Sequence, residues 1–511
     1  MTSSNSQIAK NTLFLYMRMF FTMAVSLYTV RVIIKTLSVS DYGLYGAVGG
    51  VILTFSFITG VLTNASQRFF SVELGKGAKG RVKDVFSTLF LTYLGVSFII
   101  IALAETVGLW FLQNKMTIPE GREDAAMWVY QFALLSFVIT LLSNPYQALV
   151  IAYERMNLYA YLSILDVILK LLVVYVLLVF DYDKLKVYAV LVFISQLVTN
   201  FMYILYCKVK FKETNLVWKV DKPMFKDVFS YSSWTLFGTV AGMCNTQGIN
   251  LLLNLFFGTI ANAAYSIASQ VYNVVGTFAN NFYVAVKPPL IKSYSSNNFE
   301  YVHKLFMFST KTLFTLLCVM TIPLMVCTNE ILYLWLGQIG DYMEVFVKLS
   351  LIYVIILTIS HPITAVVQAG GNVKLYHSIV DGFALIVLPI VYVIFKIGVD
   401  ALWAYVVSIV VFAVAHGLRI YVMKKVFPIF DAKRYVVGAI IPMAVILSVS
   451  YFSMVFVKNL LPEGLVFTFI IMLITALIVL LLCVILLFTK TEIQMVFDMF
   501  KEWVGRRMKK N

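Results

Sequence analysis

Runs of about twenty apolar residues recur along this chain between short polar connections, an alternation that predicts helices crossing a membrane. Windows of that length fall near 11–37, 42–67, 85–112, 126–152, 157–180, 185–207 and 228–256. They continue near 261–286, 304–327, 345–369, 373–395, 401–423, 435–457 and 465–488, about fourteen in all. The expected fold is all-α and polytopic.

Composition agrees with this pattern. Of 511 residues 61% are hydrophobic and 13% charged, where a soluble domain has roughly 45–50% apolar and 25% charged residues. The first apolar run is about 25 residues long with no small-residue cleavage site after it, so it is expected to remain as a span. The five cysteines, Cys207, Cys244, Cys318, Cys327 and Cys483, lie in or beside apolar runs without CxxC or His/Cys pairing. They read as packing residues, and no disulfide framework, metal site or cofactor is expected.

A net charge of +15 would suit a nucleic-acid partner, but its placement argues otherwise. Basic residues gather in alternate connections, as at Lys76, Lys79, Arg81 and Lys83, at Lys208, Lys210 and Lys212, and at Lys424, Lys425, Lys433 and Arg434. The remaining connections carry Glu120, Glu123, Asp124, Asp183, Glu330, Asp341 and Asp400. By the positive-inside rule both termini are expected in the cytoplasm and most of the charge is topogenic. From Glu492 to Lys510, Ile493, Val496, Phe497, Phe500, Trp503 and Val504 recur at helical spacing among Lys501, Arg506 and Arg507. This reads as a helix lying on anionic membrane lipids.

Sugar chemistry or hydrolysis needs acids and bases in water, usually on a large loop, and here the longest connections are about 15–20 residues. No GxSxG, HExxH or phosphate-binding GxxxxGK[ST] occurs, and His303, His361, His377 and His416 are scattered. The chain is expected to move a cargo and not to be an enzyme.

One string appears twice, 215 positions apart (381 minus 166): Tyr161-Leu162-Ser163-Ile164-Leu165-Asp166 and Tyr376-His377-Ser378-Ile379-Val380-Asp381. Around it Asn144-Pro145 matches His361-Pro362, Ala148 to Ala152 matches Ala365 to Ala369, and Asn157 matches Asn372. Farther upstream the segment from Asp41 to Tyr45 matches that from Ala261 to Tyr265. The repeat unit is six spans, so two halves of like orientation are expected. The divisions are 1–222, 223–425 and an added 426–511 holding the last two spans and the basic tail.

Charges inside spans are costly in lipid and face partners, water or cargo. Lys374, His377 and Asp381 share a helix face by their spacing, as do Asp166 and Lys170. Either stripe is an internal ion pair that fixes packing, or its aspartate carries a proton or sodium ion; the presence of a histidine, a residue type able to titrate near neutral pH, favours the second stripe, with His377, for coupling. Arg31 and Lys35 lie four apart near one end of the first span and Arg18 nearer the other; Arg68 and Lys287 end spans two and eight. Each basic group either snorkels and anchors the span or enters a cavity, and their excess over acids suits an anionic cargo. Spans seven and eight are the most polar, with Asn245, Gln247, Asn250, Asn262, Ser269 and Asn273 acting as helix glue or a hydrated wall. Pro145, Pro323, Pro362, Pro389 and Pro442 interrupt spans at points where the helices can bend during alternation, with helix-ending an equal alternative for Pro145 and Pro362.

The string Thr36-Leu37-Ser38-Val39-Ser40-Asp41-Tyr42-Gly43-Leu44-Tyr45, preceded by Arg31 and followed by Ser66-Gln67-Arg68-Phe69 and Glu73-Leu74-Gly75-Lys76-Gly77, resembles the polysaccharide-transporter flippases of the multidrug/oligosaccharidyl-lipid/polysaccharide exporter superfamily. The resemblance implies two six-helix bundles around a central cavity in a bacterial inner membrane. It also implies alternating access and a lipid pyrophosphate-linked oligosaccharide as cargo for O-antigen, lipopolysaccharide or capsule assembly, beside a polymerase or glycosyltransferase complex. Arg31, and Lys287 or Lys374, would then meet the pyrophosphate. A drug or cation exporter of the same superfamily, a membrane polymerase or ligase, and a non-transporting scaffold stand as alternatives.

Neutralising the two aspartates separately tests the asymmetry of the repeated string. Asp381→Asn is expected to abolish ion-coupled transport while Asp166→Asn lowers the thermal stability of the purified protein; equal effects on transport would remove the distinction.

Overall fold

The computed structural model describes residues 2–494, leaving aside positions 38, 115, 117, 180, 181, 219, 220, 338, 461 and 463, with backbone alone at 2–6, 9, 27, 30, 31, 34, 35, 39, 40, 42, 53 and 259. The chain is 88% helical with no strands among the described residues. Lipid supplies no hydrogen bonds, so helices that satisfy their own backbone are the expected solution. Packing divides the chain into Lys10–Leu236 and a second unit of Met1–Ala9 with Phe237–Asn511.

The first unit comprises most of α1 (Thr2–Leu37), the short α2 (Val39–Leu53) and α3 (Ser56–Gly75), then α4 (Val82–Leu103), α5 (Glu123–Ala152), α6 (Met156–Val176) and α7 (Lys184–Lys210). Helices α2 and α3 meet at a short break with a bend of 52°. Helix α5 is the hub, packing against α2, α3, α4, α6 and α7. Pro145 lies in the interior of α5, which continues to Ala152, so of its two expected roles it does not take the helix-ending one. The π-helical turn Ala104–Gly108 after α4 leaves the Ala104 carbonyl to accept a hydrogen bond from the Tyr130 hydroxyl at 2.7 Å.

Charged side chains close this unit at both ends. At one, Arg122 donates from Nε to Asp41 Oδ1 at 2.9 Å and from Nη1 to Asp183 Oδ2 at 2.7 Å, while Lys186 pairs with Asp124. Asp183 also caps α7 by accepting from Leu185 N. The Asp41 hydrogen bond is the main cause that raises the Arg122 pKa above its ordinary value, with Asp183 adding to it. The aspartate of the Ser-Asp-Tyr-Gly string is thus a clamp between α2 and the start of α5. At the other end Arg81 bridges Asp84 and Asp221, and Glu73 accepts from the Arg81 backbone N–H at 2.8 Å.

The 74-residue α8 (Lys222–Ser295) begins in the first unit and continues into the second. At 1.5 Å per residue it would extend ~110 Å, several times a hydrocarbon core of ~30 Å. It is broken at Gly258, whose φ of 72° and ψ of −159° are costly for any residue with a Cβ. Two arms result. They are tied across the break by Asn262 Nδ2 donating to Asn250 Oδ1 at 2.6 Å, so the amides expected as glue do act between these arms. Pro288 and Pro289 lie inside the second arm and remove two helical N–H donors directly after Lys287.

The rest of the second unit is α9 (Phe299–Val326), α10 (Met343–Thr358) continued by α11 (His361–Gly370), α12 (Val373–Lys396), α13 (Trp403–Val426), α14 (Ala432–Lys458) and α15 (Leu465–Leu486). Pro362 stands at the start of α11, after a break at Ile359 and Ser360, as a helix-starting proline does. The last two helices pack on α9, and Lys311 of α9, 4% exposed, meets Glu492 Oε2 at 2.8 Å just beyond α15. Large apolar residues on α15, such as Leu473, Leu477 and Leu481, stay exposed, as a lipid-facing surface requires. Cysteines 207, 318, 327 and 483 are buried; Cys244 is exposed and is not the packing residue its sequence setting suggests.

Among the described residues ten helices are long and apolar enough to cross a membrane, and counting the bent α2–α3 pair as one span gives eleven. The three other expected spans fall on α1 and the two arms of α8, which are helical but more polar. The amphipathic tail lies, from position 495, outside the described residues.

Replacing Arg122 by Ala strands Asp41 and Asp183, both partly buried. The expected cost is about 1–2 kcal/mol, read as a lower Tm of the purified protein, and Arg122→Lys should recover only part because it cannot bind two carboxylates in a fork.

Candidate functional site

Within the first unit α1, α2, α5, α6 and α7 surround a chamber of about 540 Å³. Its wall is mostly apolar, with uncharged hydroxyls and amides set into it. Gln147 Nε2 donates to Ser143 Oγ at 3.1 Å and to Asn200 Oδ1 at 3.2 Å, and Asn200 Nδ2 donates to the Gln196 carbonyl at 2.8 Å. These amides come from α5 and α7, where small and polar residues recur every three or four positions: Ser136, Thr140, Ser143 and Gln147 on one helix, Gln196, Thr199, Asn200 and Tyr203 on the other.

Asp166 and Lys170 of α6 line the same chamber, joined by a 2.7 Å contact. Their spacing of four places them one turn apart on one face. The pair is partly exposed, at 24% and 38% for the two side chains. The Arg18 guanidinium lies 4.8 Å from the ring of Tyr159, another chamber residue. Arg68 of α3 sits over Phe69 and Tyr231, 4.7 and 5.1 Å from the ring centres, away from the chamber lining. Arg31 is helical, and its side chain lies outside the described residues.

The second copy of the repeated string is built differently. Residues His377–Asp381 form a π-helical turn within α12, and His377 Nδ1 lies 2.5 Å from Asp381 Oδ2. Gly238 of α8 faces this pair so closely that a Cβ there would come within 2.3 Å of Asp381 Oδ2 and 2.5 Å of His377 Nδ1. Only glycine lets the two helices approach at that height. His377 is buried, whereas Lys374 is exposed, so the three residues that share a face by spacing sit in different surroundings.

Deeper in the second unit is a group of buried cations. Lys287 is 3% exposed, with Nζ 5.9 Å from the centre of the Tyr283 ring, and Tyr283 packs on His361 at 4.9 Å between ring centres. Lys287 and Arg419 both lie within electrostatic range of His361. Arg419 of α13 is 5% exposed and donates from Nε to the Tyr376 hydroxyl at 3.1 Å, while its Nη1 and His361 Nδ1 have no protein partner. The Tyr376 hydroxyl also meets Thr364 Oγ1 at 2.9 Å, and His416 lies between Ser360 and Tyr435, at 2.8 and 3.3 Å. The sequence pattern did not single out Arg419. The signal was its spacing: it stands five residues before Lys424, more than one turn inside the span, and three after His416 on the same face. No group of three or more His, Cys, Asp or Glu able to hold a metal occurs among the described residues.

Two chemistries are therefore available: a neutral, hydrogen-bonding chamber in the first unit and a buried cationic group ringed by hydroxyls and aromatic faces in the second. Such cations bind phosphate-like oxygens when desolvated.

The fold is shared with solved membrane transporters. The chain is similar to an outward-facing multidrug resistance MATE family transporter of the MOP superfamily, with 13% identity, a TM-score of 0.69, and 83% of this chain and 97% of that chain covered. A MATE structure in the bent conformation matches with 13% identity, a TM-score of 0.70 and the same coverages. A MOP superfamily transporter from Pyrococcus furiosus matches with 12% identity and a TM-score of 0.65 over 82% of this chain and 96% of that one. No curated protein matches in sequence. The family model described as polysaccharide biosynthesis protein matches residues 32–339, more than half the chain, and the protein belongs to that family, with the transporter fold of the MOP superfamily.

Proposed function

We propose that the protein is a flippase that carries a lipid pyrophosphate-linked oligosaccharide from the inner to the outer leaflet of a bacterial inner membrane, by alternating access, for surface polysaccharide assembly. Both termini face the cytoplasm in this reading, and a polymerase or glycosyltransferase complex stands beside it. The family and the transporter fold support movement of a polysaccharide precursor across a bilayer.

The observation that carries the choice of cargo is Arg419. A guanidinium buried in a span is expensive unless something anionic meets it, and one of its nitrogens is left without a protein partner. Lys287 adds a second buried positive charge within range of the same histidine. An exporter of cationic drugs would want the opposite polarity here. The carboxylate that lines the chamber of the first unit, Asp166, is already matched by Lys170 and offers no net negative charge to a cation.

In the mechanism the pyrophosphate end of the cargo meets Arg419 and Lys287, while sugar hydroxyls replace water on neutral amides of the same unit, such as that of Asn273. Hydrogen bonds of this kind are individually modest, about 0.5–1.5 kcal/mol net, so a hydrated cargo can be held and released. The His377–Asp381 pair is the coupling element, binding an ion or proton when Asp381 is released from the histidine. Arg31, Arg18, Arg68 and Lys374 remain candidate secondary contacts for anionic lipid or cargo.

Deleting the gene is expected to remove surface polysaccharide and leave its lipid-linked precursor trapped on the inner leaflet, seen by lipid extraction and mass spectrometry. Arg419→Ala, at normal protein abundance, should reduce surface polysaccharide about ten- to a hundredfold, the cost of one charge-assisted contact. Arg419→Lys should restore part of it. Undiminished polysaccharide in the deletion strain would refute the flippase reading.

A further inference from the structure

The second unit holds a smaller chamber of about 160 Å³ that the cationic group does not line. Five aromatic rings enclose it: Tyr265 and Tyr272 from the second arm of α8, Tyr353 from α10, and Tyr405 and Phe412 from α13. They pack as a connected set, with ring centres 5.4 Å apart for Tyr265 and Tyr405, 5.8 Å for Tyr272 and Tyr353, and 5.3 Å for Tyr353 and Phe412. Between the rings the wall presents Asn245, Asn273, Ser269 and Ser408, and no charged side chain.

Size and chemistry both restrict the occupant. A cavity of roughly 150 Å³ accepts one six-membered ring, so this chamber holds one ring and not two. An apolar ring would leave the amides and hydroxyls unmet, and an ion would find no counter-charge. A pyranose has what the wall asks for: C–H faces that lie against aromatic rings, and hydroxyls around its rim that both donate and accept. Asn245 gives a specific sign of a missing partner. It is 4% exposed and its Nδ2 donates to the Ala384 carbonyl at 3.0 Å, yet its Oδ1 has no hydrogen-bond partner. A buried acceptor left in that state is costly, and a donor hydroxyl would satisfy it.

The chamber also stands in register with the cations. On α13, Phe412 and Arg419 are seven residues apart, on one face and ~10 Å along the axis. The Arg419 guanidinium reaches back to 5.9 Å from the Phe412 ring centre. On α10 and α11 Tyr353 is followed seven residues later by Ser360, a partner of His416. An uncharged ring site therefore opens, along the same helix faces, toward a site for negative charge.

We infer that the chamber formed by Tyr265, Tyr272, Tyr353, Tyr405 and Phe412 is a subsite for one neutral hexopyranose ring of the cargo, oriented with its phosphate-linked end toward Arg419. The inference rests on the polysaccharide-precursor reading and sharpens it, because it makes the protein selective for one sugar residue near the lipid and tolerant of the rest of the chain. Asn245 Oδ1 accepts from a ring hydroxyl, and the tyrosines supply the faces on which the ring lies.

The test uses the full-length protein in lipid nanodiscs and saturation-transfer NMR with methyl glucoside, methyl galactoside, methyl mannoside and methyl N-acetylglucosaminide, with tetramethylammonium as the cation probe. At least one pyranoside is expected to bind, and Asn245→Leu should weaken it at least about fivefold, the loss of one hydrogen bond. Ser269→Phe, which fills the chamber and touches no backbone partner of Asn245, should abolish binding at unchanged Tm, and it decides the matter if Asn245→Leu does not fold. Lys304→Gln, at an exposed residue paired with Glu300, should leave binding unchanged. Binding of none of the four pyranosides, binding insensitive to Ser269→Phe, or preferential binding of tetramethylammonium each overturns the subsite. If the deletion strain still lacks surface polysaccharide in those cases, the subsite alone has failed and the flippase reading stands.

Discussion

Lipid offers neither hydrogen bonds nor counter-ions, and every polar group inside this protein has to find its partner within the protein or in what it carries. Most do. Lys170 meets Asp166, Lys311 meets Glu492, Arg122 is held by two aspartates, and the free carbonyl of the π-helical turn at Ala104 accepts from Tyr130. Groups left over occur in both units, Ser71 Oγ and Thr88 Oγ1 among them in the first. Arg419 Nη1, His361 Nδ1 and Asn245 Oδ1 are the ones that lie in the second unit beside the cations or the aromatic chamber.

Much of the fold is legible in the sequence because the apolar run is a strong and local signal. Where helices are uniformly apolar, as over 465–488, expectation and structure agree to within a few residues. Where the span must also serve a polar chamber, composition dilutes the signal: both arms of α8 are helical, yet neither stands out by hydropathy. Prolines mislead for a related reason. Pro145 and Pro362 occupy matching places in the repeated strings, but one sits within a continuous helix and the other starts a new one, because neighbouring packing and not the proline alone decides whether the backbone continues.

The site was legible only where its residues are neighbours in sequence. The i, i+4 pairs Asp166–Lys170 and His377–Asp381 are visible as helix stripes and both form. The meeting of His361, Lys287 and Arg419 is not visible, since it depends on three helices far apart in the chain. Arg419 also lies beside a run of topogenic lysines, which masks its depth. The glycine at 238 carries no motif at all, and its role follows solely from the proximity of the His377–Asp381 pair.

The broken helix α8 bears on how the protein enters the membrane during synthesis. Each arm is rich in amides and hydroxyls, so each partitions into lipid less readily than the spans around it. With Gly258 turning the chain and Asn262 bonded to Asn250 across the turn, the arms form one hairpin in which this pair of amides is already satisfied. An asparagine pair that closes the hairpin thereby lowers the cost of moving two polar arms into lipid together.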